Sequence, residues 1–104
     1  MIKVSVMYPN SPGVRFDHAY YRSSHMPLVK AQLGDACKYY TVDRGVRGFE
    51  SGASPTYVGM CHVFCETAEA FQCAMEQNGA TIMGDIQHFT DADPVIQISD
   101  VVVG

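Results

Sequence analysis

Residues 2–29 read IKVSVMYPNSPGVRFDHAYYRSSHMPLV and contain the signals for a strand, a turn and a helix. Positions 2, 4, 6 and 8 are all apolar or aromatic, and this period of two is that of a β-strand. Residues 9–13, PNSPG, end the pattern, because proline removes ladder donors and glycine and asparagine favour turns. The stretch therefore predicts a first strand followed by a turn.

A helix is predicted directly after this turn. Asp17 is a typical helix N-cap, and residues 18–24 contain no helix breaker. Pro27 disfavours helical geometry in the residue before it, so the helix is expected to stop or kink around His25 and to restart at Pro27. Gly34 is expected to end the second piece.

The remaining elements follow from the second half of the chain. Aromatic and β-branched residues predict further strands over residues 38–46, 56–65 and 95–103, with a flexible loop at 47–55. Thr67 is a typical N-cap for a second helix, and Asn78-Gly79 predicts the end of that helix. Helical spacing predicts a shorter helix after it, carrying Ile82, Met83, Ile86 and Phe89.

The predicted order of elements is strand, helix, strand, strand, helix, strand. This is the order of the ferredoxin-like, split βαβ fold, an α+β arrangement with a four-stranded antiparallel sheet. A chain of 104 residues is long enough for one domain and too short for two. We therefore expect residues 1–104 to form a single ferredoxin-like domain.

One face of such a sheet carries no helices. Met7, Met60, Phe64 and part of the run 101–103 need cover on an exposed face. A second identical chain related by two-fold symmetry is the commonest solution to such a requirement. We therefore expect a homodimer in which two four-stranded sheets meet as a barrel with space at its centre.

The charge pattern argues against several classes of partner. The net charge is -4, and the seven basic residues are scattered along the chain. Nucleic-acid binding needs a basic footprint, so no nucleic acid is expected, and an anionic membrane is disfavoured for the same reason. The N-terminal run lacks the features of a signal peptide, and no stretch approaches the ~18 apolar residues of a membrane span. We expect a cytoplasmic protein.

Four cysteines raise the question of a metal site or a disulfide framework: Cys37, Cys61, Cys65 and Cys73. Cys61 and Cys65 lie four apart in a predicted strand, about 13 Å at ~3.3 Å per residue, which is too far to chelate one ion. Reduced and mostly buried thiols are the simpler interpretation. We expect no metal, haem, flavin or nicotinamide cofactor, since no metal-ligand spacing or dinucleotide fingerprint is present.

Two separated segments resemble a known family. The run FDHAYYRSSHMPLV at 16–29 resembles the FDxxYYxxxHMPLV segment of the EthD family, which is named for ethyl tert-butyl ether degradation. The run FTDADPVIQI at 89–98 is similar to that family's FTDAxPxxQI ending. Together with the opening strand, the resemblance covers nearly the whole chain.

The resemblance implies the dimeric α+β barrel superfamily, which also contains cofactor-free monooxygenases and small cyclase-like or decarboxylase-like enzymes. It leaves the activity open, because one fold hosts many functions. The implied protein is a homodimer with a small hydrophobic pocket. It binds a small hydrophobic or aromatic compound, such as a polyketide-like or xenobiotic molecule, or acts on it without a cofactor.

His25 is the leading candidate for acid–base chemistry. The predicted helix break places its imidazole at a helix C-terminal end, where partial negative charge favours the protonated form. A reference pKa of about 6.5 lets a small shift decide whether it acts as acid or base. Tyr21 lies four residues earlier on the same helical face, so its hydroxyl is the second catalytic candidate. A purely structural role for His25, bonding loose backbone at the break, stays open.

Four further residues are candidates for ligand binding: Tyr20, His62, Met60 and Phe64. Tyr20 and Tyr21 together suit an aromatic-binding cavity, although one of the pair is expected to be ordinary core packing. His62 shares one face of its strand with Met60 and Phe64, which fits a pocket-facing role or that of a satisfied core histidine. His88 is expected to be a solvated helix residue, and Asp85 a solvated or capping carboxylate.

Three functions therefore remain open. The first is a cofactor-free enzyme in which His25 moves protons on a hydrophobic compound. The second is a binding or accessory protein that shelters such a compound for a partner oxidase. The third is a purely structural dimer whose interior is fully packed.

Overall fold

The computed structural model describes residues 1–104, and its elements follow the predicted order. They are β1 (Ile2–Pro9), α1 (His18–Tyr20), a π-helical segment (Tyr21–His25), α2 (Met26–Leu33), β2 (Cys37–Arg44), β3 (Tyr57–Cys65), α3 (Ala68–Asp85) and β4 (Val95–Asp100). Short 3₁₀ turns follow α2 and α3, at Gly34–Ala36 and Ile86–His88. The sheet is antiparallel with the strand order β2-β3-β1-β4. The predicted ferredoxin-like α+β fold is confirmed.

The helices cover one face of this sheet. Val4 and Tyr8 of β1 and Val63 of β3 are buried there, together with Met26 and Val29 of α2. The alternation that predicted β1 explains this packing, because every second side chain of a strand points to the same face. The side chains between them point to the opposite face, which no helix covers.

The first helical run begins as predicted, and at His25, where a stop or a kink was expected, it continues through a wider turn. The Asp17 carboxylate accepts a hydrogen bond at 3.0 Å from the backbone N–H three residues later. At His25 the run continues through a π-helical turn, in which the Met26 N–H donates to the Tyr21 carbonyl. Pro27 has no N–H, and in a regular helix its ring clashes with the carbonyl four residues earlier, so one wider turn accommodates it. His25 therefore lies inside a continuous helical run.

The second helix is longer than the sequence predicts. Thr67 caps it as expected, but the predicted end at Asn78-Gly79 is wrong, because α3 continues to Asp85. The Asn78 side chain donates to the Gln32 carbonyl at 2.9 Å and so ties α3 to the end of α2. Packing between the two helices overrides the local turn signal. None of the helices, α3 included, has the length and apolar character needed to cross a membrane.

The predicted strand ends need small corrections. β2 ends at Arg44, and β4 ends at Asp100 and does not reach residue 103. Asp100 is paired with Ile2, where β1 begins. Val102 and Val103 lie beyond this point and are exposed, because β1 has no further residues to pair with them.

Candidate functional site

The two segments that carry the family resemblance meet in space. Phe16 and Thr90 form an isolated antiparallel bridge, and the Asp17 N–H donates to the Phe89 carbonyl at 2.7 Å. The Thr90 hydroxyl also donates to the Arg15 carbonyl at 2.6 Å. These bonds hold the start of α1 against the end of α3. These contacts place side chains of α1 and of the π-helical segment next to side chains at the end of α3.

Asp85 is the centre of the resulting site. Its Oδ2 atom accepts a hydrogen bond from Nδ1 of His25 at 2.9 Å. Its Oδ1 atom accepts from the Tyr20 hydroxyl at 2.8 Å and lies 3.0 Å from Nδ1 of His88. Three side chains from two distant parts of the sequence therefore converge on one carboxylate, of which 13% is exposed.

Burial and hydrogen bonding set the charges of His25 and Asp85. Burial raises the pKa of Asp85, but the hydrogen bonds from His25, Tyr20 and His88 lower it more, so the net pKa lies below its usual value. Burial lowers the pKa of His25, and the opposing hydrogen bond to Asp85 does not offset this. Near pH 7 the pair is therefore an ionised carboxylate beside a neutral imidazole.

The expectation that a helix end favours protonated His25 is wrong. The helical run continues past this residue, so the ring does not lie at the C-terminal end of a helix. His25 is only 3% exposed, and removal from water penalises its charged form.

The position of the imidazole proton follows from these charges. An ionised carboxylate can only accept hydrogen bonds, so the proton of neutral His25 lies on Nδ1. Nε2 then carries a lone pair and makes no hydrogen bond within the chain. Serine hydrolases divide the roles in the same way, since their aspartate fixes the tautomer of the catalytic histidine. His25 is thus arranged to accept a proton through Nε2.

His25 borders a small cavity between the helices and the sheet. The volume of this cavity is about 60 Å³, and His25 is the one residue among its 14 lining residues that is not hydrophobic. An engineered apolar cavity of about 150 Å³ takes up benzene, so this one holds less than an aromatic ring unless it expands. Met83 and Ile86 line both the cavity and an open groove at the end of α3.

Tyr21 contributes to the site through its ring. It is fully buried and stacks on His25, with ring centroids 5.7 Å apart and planes inclined by 15°. Its hydroxyl lies beside the Cys61 thiol, has no nitrogen or oxygen partner, and does not line the cavity. Burial raises the pKa of Tyr21 far above its ordinary value and that of the Cys61 thiol to about 11. Both groups are therefore neutral at physiological pH.

Three of the predicted ligand-binding residues lie on the other side of the sheet: His62, Met60 and Phe64. His62 Nδ1 is 2.8 Å from the Ser5 hydroxyl, and its Nε2 is 3.2 Å from Oδ2 of Asp43. The structure therefore brings Tyr20, Tyr21 and His25 together and separates them from the His62 group by the thickness of the sheet.

Asp85 and His88 are the site residues that the sequence did not single out. Their spacing of three within a helical stretch is a weak signal that the two side chains meet. Asp85 also follows Ile82 and precedes Ile86 on a stripe that otherwise packs inward, and a carboxylate in such a place needs a partner. Neither signal names His25, which lies sixty residues away along the chain.

The cysteines do not take part in this site as ligands. Cys37, Cys61 and Cys65 are buried, and Cys73 is exposed. No group of three or more His, Cys, Asp or Glu side chains in the chain is arranged to hold a metal ion. The polar chemistry of the site is therefore that of the groups around Asp85.

Comparisons with known proteins agree with the sequence and the fold. Residues 14–93 match the model of the EthD domain. The crystal structure of an EthD-like protein from Ralstonia eutropha JMP134 has a TM-score of 0.95 at 59% identity, covering 98% of this chain and 92% of that one. An ethyl tert-butyl ether degradation (EthD) family protein from Bacillus halodurans C-125 has a TM-score of 0.72 at 20% identity, covering 96% and 97%. HapK from Hahella chejuensis shares the fold, with a TM-score of 0.59 at 13% identity, covering 100% and 96%. No curated protein matches the chain.

Proposed function

This chain belongs to the EthD domain family, and on that premise we propose that it is a homodimer whose helix-side cavity receives a small hydrophobic compound. In this proposal His25 moves a proton on the bound compound without a cofactor. The observation that carries it is the 2.9 Å hydrogen bond between His25 Nδ1 and Asp85, which leaves Nε2 unpaired in a residue that borders an apolar cavity.

The walls of the cavity define the chemistry that fits it. An apolar lining favours an aliphatic or aromatic compound, and the single imidazole favours one that carries an acidic C–H or O–H group. Nε2 takes that proton, Asp85 stabilises the imidazolium that forms, and the same proton returns to another atom of the compound. Isomerisation and aldol-type cyclisation follow this balance. So does decarboxylation of a carboxylic acid, in which the carboxyl proton ends on the carbon from which CO₂ leaves. A positioned acid–base group contributes typically 10² to 10⁴ in rate.

The remaining predicted site residues have other places in this proposal. Tyr21 stacks on the imidazole ring of His25 and holds it in place, and Tyr20 donates a hydrogen bond to Asp85. Met60, His62 and Phe64 face a second copy of the chain across the uncovered sheet.

The uncovered face supports the dimer. Met7, Met60 and Phe64 lie there half-buried, and Phe64 stacks on Tyr39 with ring centroids 4.3 Å apart. An identical sheet would remove this apolar surface from water. Light scattering after size-exclusion chromatography should give about twice the chain mass of 11.4 kDa. A stable species of 11.4 kDa at micromolar concentration contradicts the dimer.

A matched pair of variants locates the interface. Phe64→Glu places a charge on the sheet face and should yield a monomer, because an unpaired charge is costly to bury. Met83→Glu places the same charge on the partly exposed end of α3 and should leave the dimer intact. If both variants stay dimeric, the interface lies elsewhere.

A structural dimer with a filled interior is the second candidate, and the 60 Å³ volume of the cavity favours it. Mass spectrometry of the purified protein under native conditions distinguishes the candidates. A co-purified hydrophobic molecule that the protein alters supports the enzyme. One that is released intact supports a binding protein that serves a partner oxidase, and an empty interior that takes up no small aromatic probe supports the structural dimer.

The direct test of the proposed reaction replaces His25 by glutamine. Gln can still donate to Asp85, but it cannot exchange a proton near neutral pH. The variant should stay folded and dimeric and bind the compound, while turnover falls by roughly 10² to 10⁴. His18→Gln, the same change in α1 away from Asp85, serves as the control. Full turnover of an identified substrate by His25→Gln contradicts the proposal.

A further inference from the structure

We propose that Tyr20 and His88 are positioning residues that hold Asp85 so that it keeps the proton of His25 on Nδ1. This inference rests on the proposed role of Nε2 as the proton acceptor. Neither Tyr20 nor His88 lines the cavity, so both act through Asp85 and not on a bound compound.

The division of bonds between the two carboxylate oxygens carries this inference. An aspartate with one partner can rotate broadly about its terminal torsion. Here two donors hold Oδ1, the Tyr20 hydroxyl at 2.8 Å and His88 Nδ1 at 3.0 Å. With Oδ1 held, Oδ2 stays directed at His25 Nδ1, 2.9 Å away.

Both donors are themselves held in place. Tyr20 ends α1, and its ring stacks on Phe89 with centroids 6.3 Å apart and planes inclined by 21°. The hydrogen bond to Asp85 raises the pKa of Tyr20, so its hydroxyl keeps its proton and remains a donor. His88 lies three residues after Asp85 on the 3₁₀ turn, and its ring is nearly perpendicular to that of Tyr20, with centroids 6.1 Å apart. The hydrogen bonds from Tyr20 and His88 to Asp85 therefore join the two segments that meet at Phe16 and Thr90.

The tautomer of His25 decides whether the site can accept a proton. If Asp85 rotates away, Nδ1 loses its acceptor and the imidazole proton can move to Nε2. The lone pair on Nε2 is then lost. In the serine protease triad, replacing the aspartate by asparagine produces this wrong tautomer and lowers kcat by about 10⁴.

Nitrogen NMR of ligand-free protein labelled with ¹⁵N-histidine measures this tautomer directly. The His25 signal is assigned by its loss in His25→Gln. The intact protein at neutral pH should show Nδ1 protonated and Nε2 unprotonated. In Tyr20→Phe combined with His88→Ala, the ratio of the Nε2–H to the Nδ1–H form should rise about tenfold, because two bonds to an ionised carboxylate are lost.

Two controls separate positioning from a general effect on the fold. His88→Gln keeps a donor beside Asp85 and should retain the intact tautomer, and Tyr57→Phe makes the same Tyr-to-Phe change at the start of β3. If the double variant is folded and His25 keeps its proton on Nδ1, the inference is overturned, even when the melting temperature falls. If the double variant does not fold, Tyr20→Phe alone decides by the same spectrum. Because no substrate is present, this outcome is distinct from a failure of the turnover test on His25→Gln.

Discussion

His25 and His62 each face an aspartate, on opposite sides of the same sheet. His25 and Asp85 are 2.9 Å apart, with 4% and 13% of their side chains exposed. His62 and Asp43 are 3.2 Å apart, with 19% and 52% exposed. Each pair also has a hydroxyl partner, since Tyr20 donates to Asp85 and Ser5 bonds to His62. The residue types match, but their exposure to water does not.

This difference shows that solvent decides what such a pair can do. Water screens the attraction between exposed partners, and exposed ion pairs contribute only about 0 to 1 kcal/mol. Burial removes that screening and makes an unpaired group expensive. The helix side of the sheet therefore holds a fixed acid–base pair beside a cavity. The open side of a single chain holds a polar cluster of the kind that an interface can use.

The largest expected difference between the two sides is in turnover. Asp85→Asn should lower kcat on an identified substrate by about 10⁴, because the amide no longer fixes the His25 tautomer. Asp43→Asn should change kcat by less than about twofold, since its partner faces away from the cavity. Steady-state kinetics of both variants, checked for dimer mass, measure the contrast. Equal losses in the two variants would show that both sides of the sheet serve the reaction.

Stability should show the next largest difference. Asp85→Ala leaves three side chains without their acceptor and should lower the free energy of unfolding by about 2 to 4 kcal/mol. In the monomeric Phe64→Glu background, where the open side of the sheet stays in water, Asp43→Ala should cost no more than about 1 kcal/mol. Urea unfolding at one fixed protein concentration gives both values, provided that the slope of the free energy of unfolding against urea concentration is unchanged in the variants. If Asp43→Ala loses more stability than Asp85→Ala, the structurally coupled pair is His62 with Asp43 and not His25 with Asp85.

The dependence of stability on pH sharpens the same contrast. Burial lowers the pKa of His25 below its unfolded value of 6.5, so below about pH 6.5 the unfolded chain binds more protons there than the folded one. The free energy of unfolding should therefore fall as the pH falls from 6.5, by at most ~1.4 kcal/mol per pH unit for this group. Burial also lowers the pKa of His18, which adds a slope of the same sign.

Unfolding series between pH 7.5 and 5 separate the two contributions. His25→Gln should remove one part of the slope and His18→Gln the other. An unchanged slope in His25→Gln would mean that His25 is not held neutral by burial. Burial would then not explain the difference between the two sides of the sheet.

The smallest effect is expected from Ser5→Ala. The change deletes one hydroxyl that bonds to His62 on the open side, and it should cost about 1 kcal/mol of stability. Turnover should remain at the level of the unaltered protein. A clear loss of turnover in Ser5→Ala would show that the cluster of Ser5, His62 and Asp43 takes part in the chemistry.

Much of the fold could be predicted because it depends on local signals. These signals are the alternation in β1 and the Asp17 and Thr67 caps, each of which acts within a few residues. They are present in the structure, as is the predicted order of six elements. The Asn78-Gly79 turn signal failed, because packing between α2 and α3 overrides it. The stop or kink expected around His25 takes the form of a π-helical turn within one helical run.

The candidate site could be predicted only in part. The sequence singled out His25 and the neighbouring tyrosines through their position in one helix and one family motif. It grouped His62, Met60 and Phe64 with them, although a strand's two faces point to opposite sides of the sheet. No local pattern indicates which face the helices cover, so the assignment to one pocket could not be made from the strand alone.

By itself, the sequence determined the class of the fold, the family and the presence of an imidazole in the first helical run, because these depend on short-range patterns and on a motif. Only the tertiary structure decided the partner and the charge of that imidazole. Asp85 reaches His25 across sixty residues of sequence, through the bridge between Phe16 and Thr90. Burial, which exists only once the helices pack on the sheet, then makes His25 neutral and leaves Nε2 free.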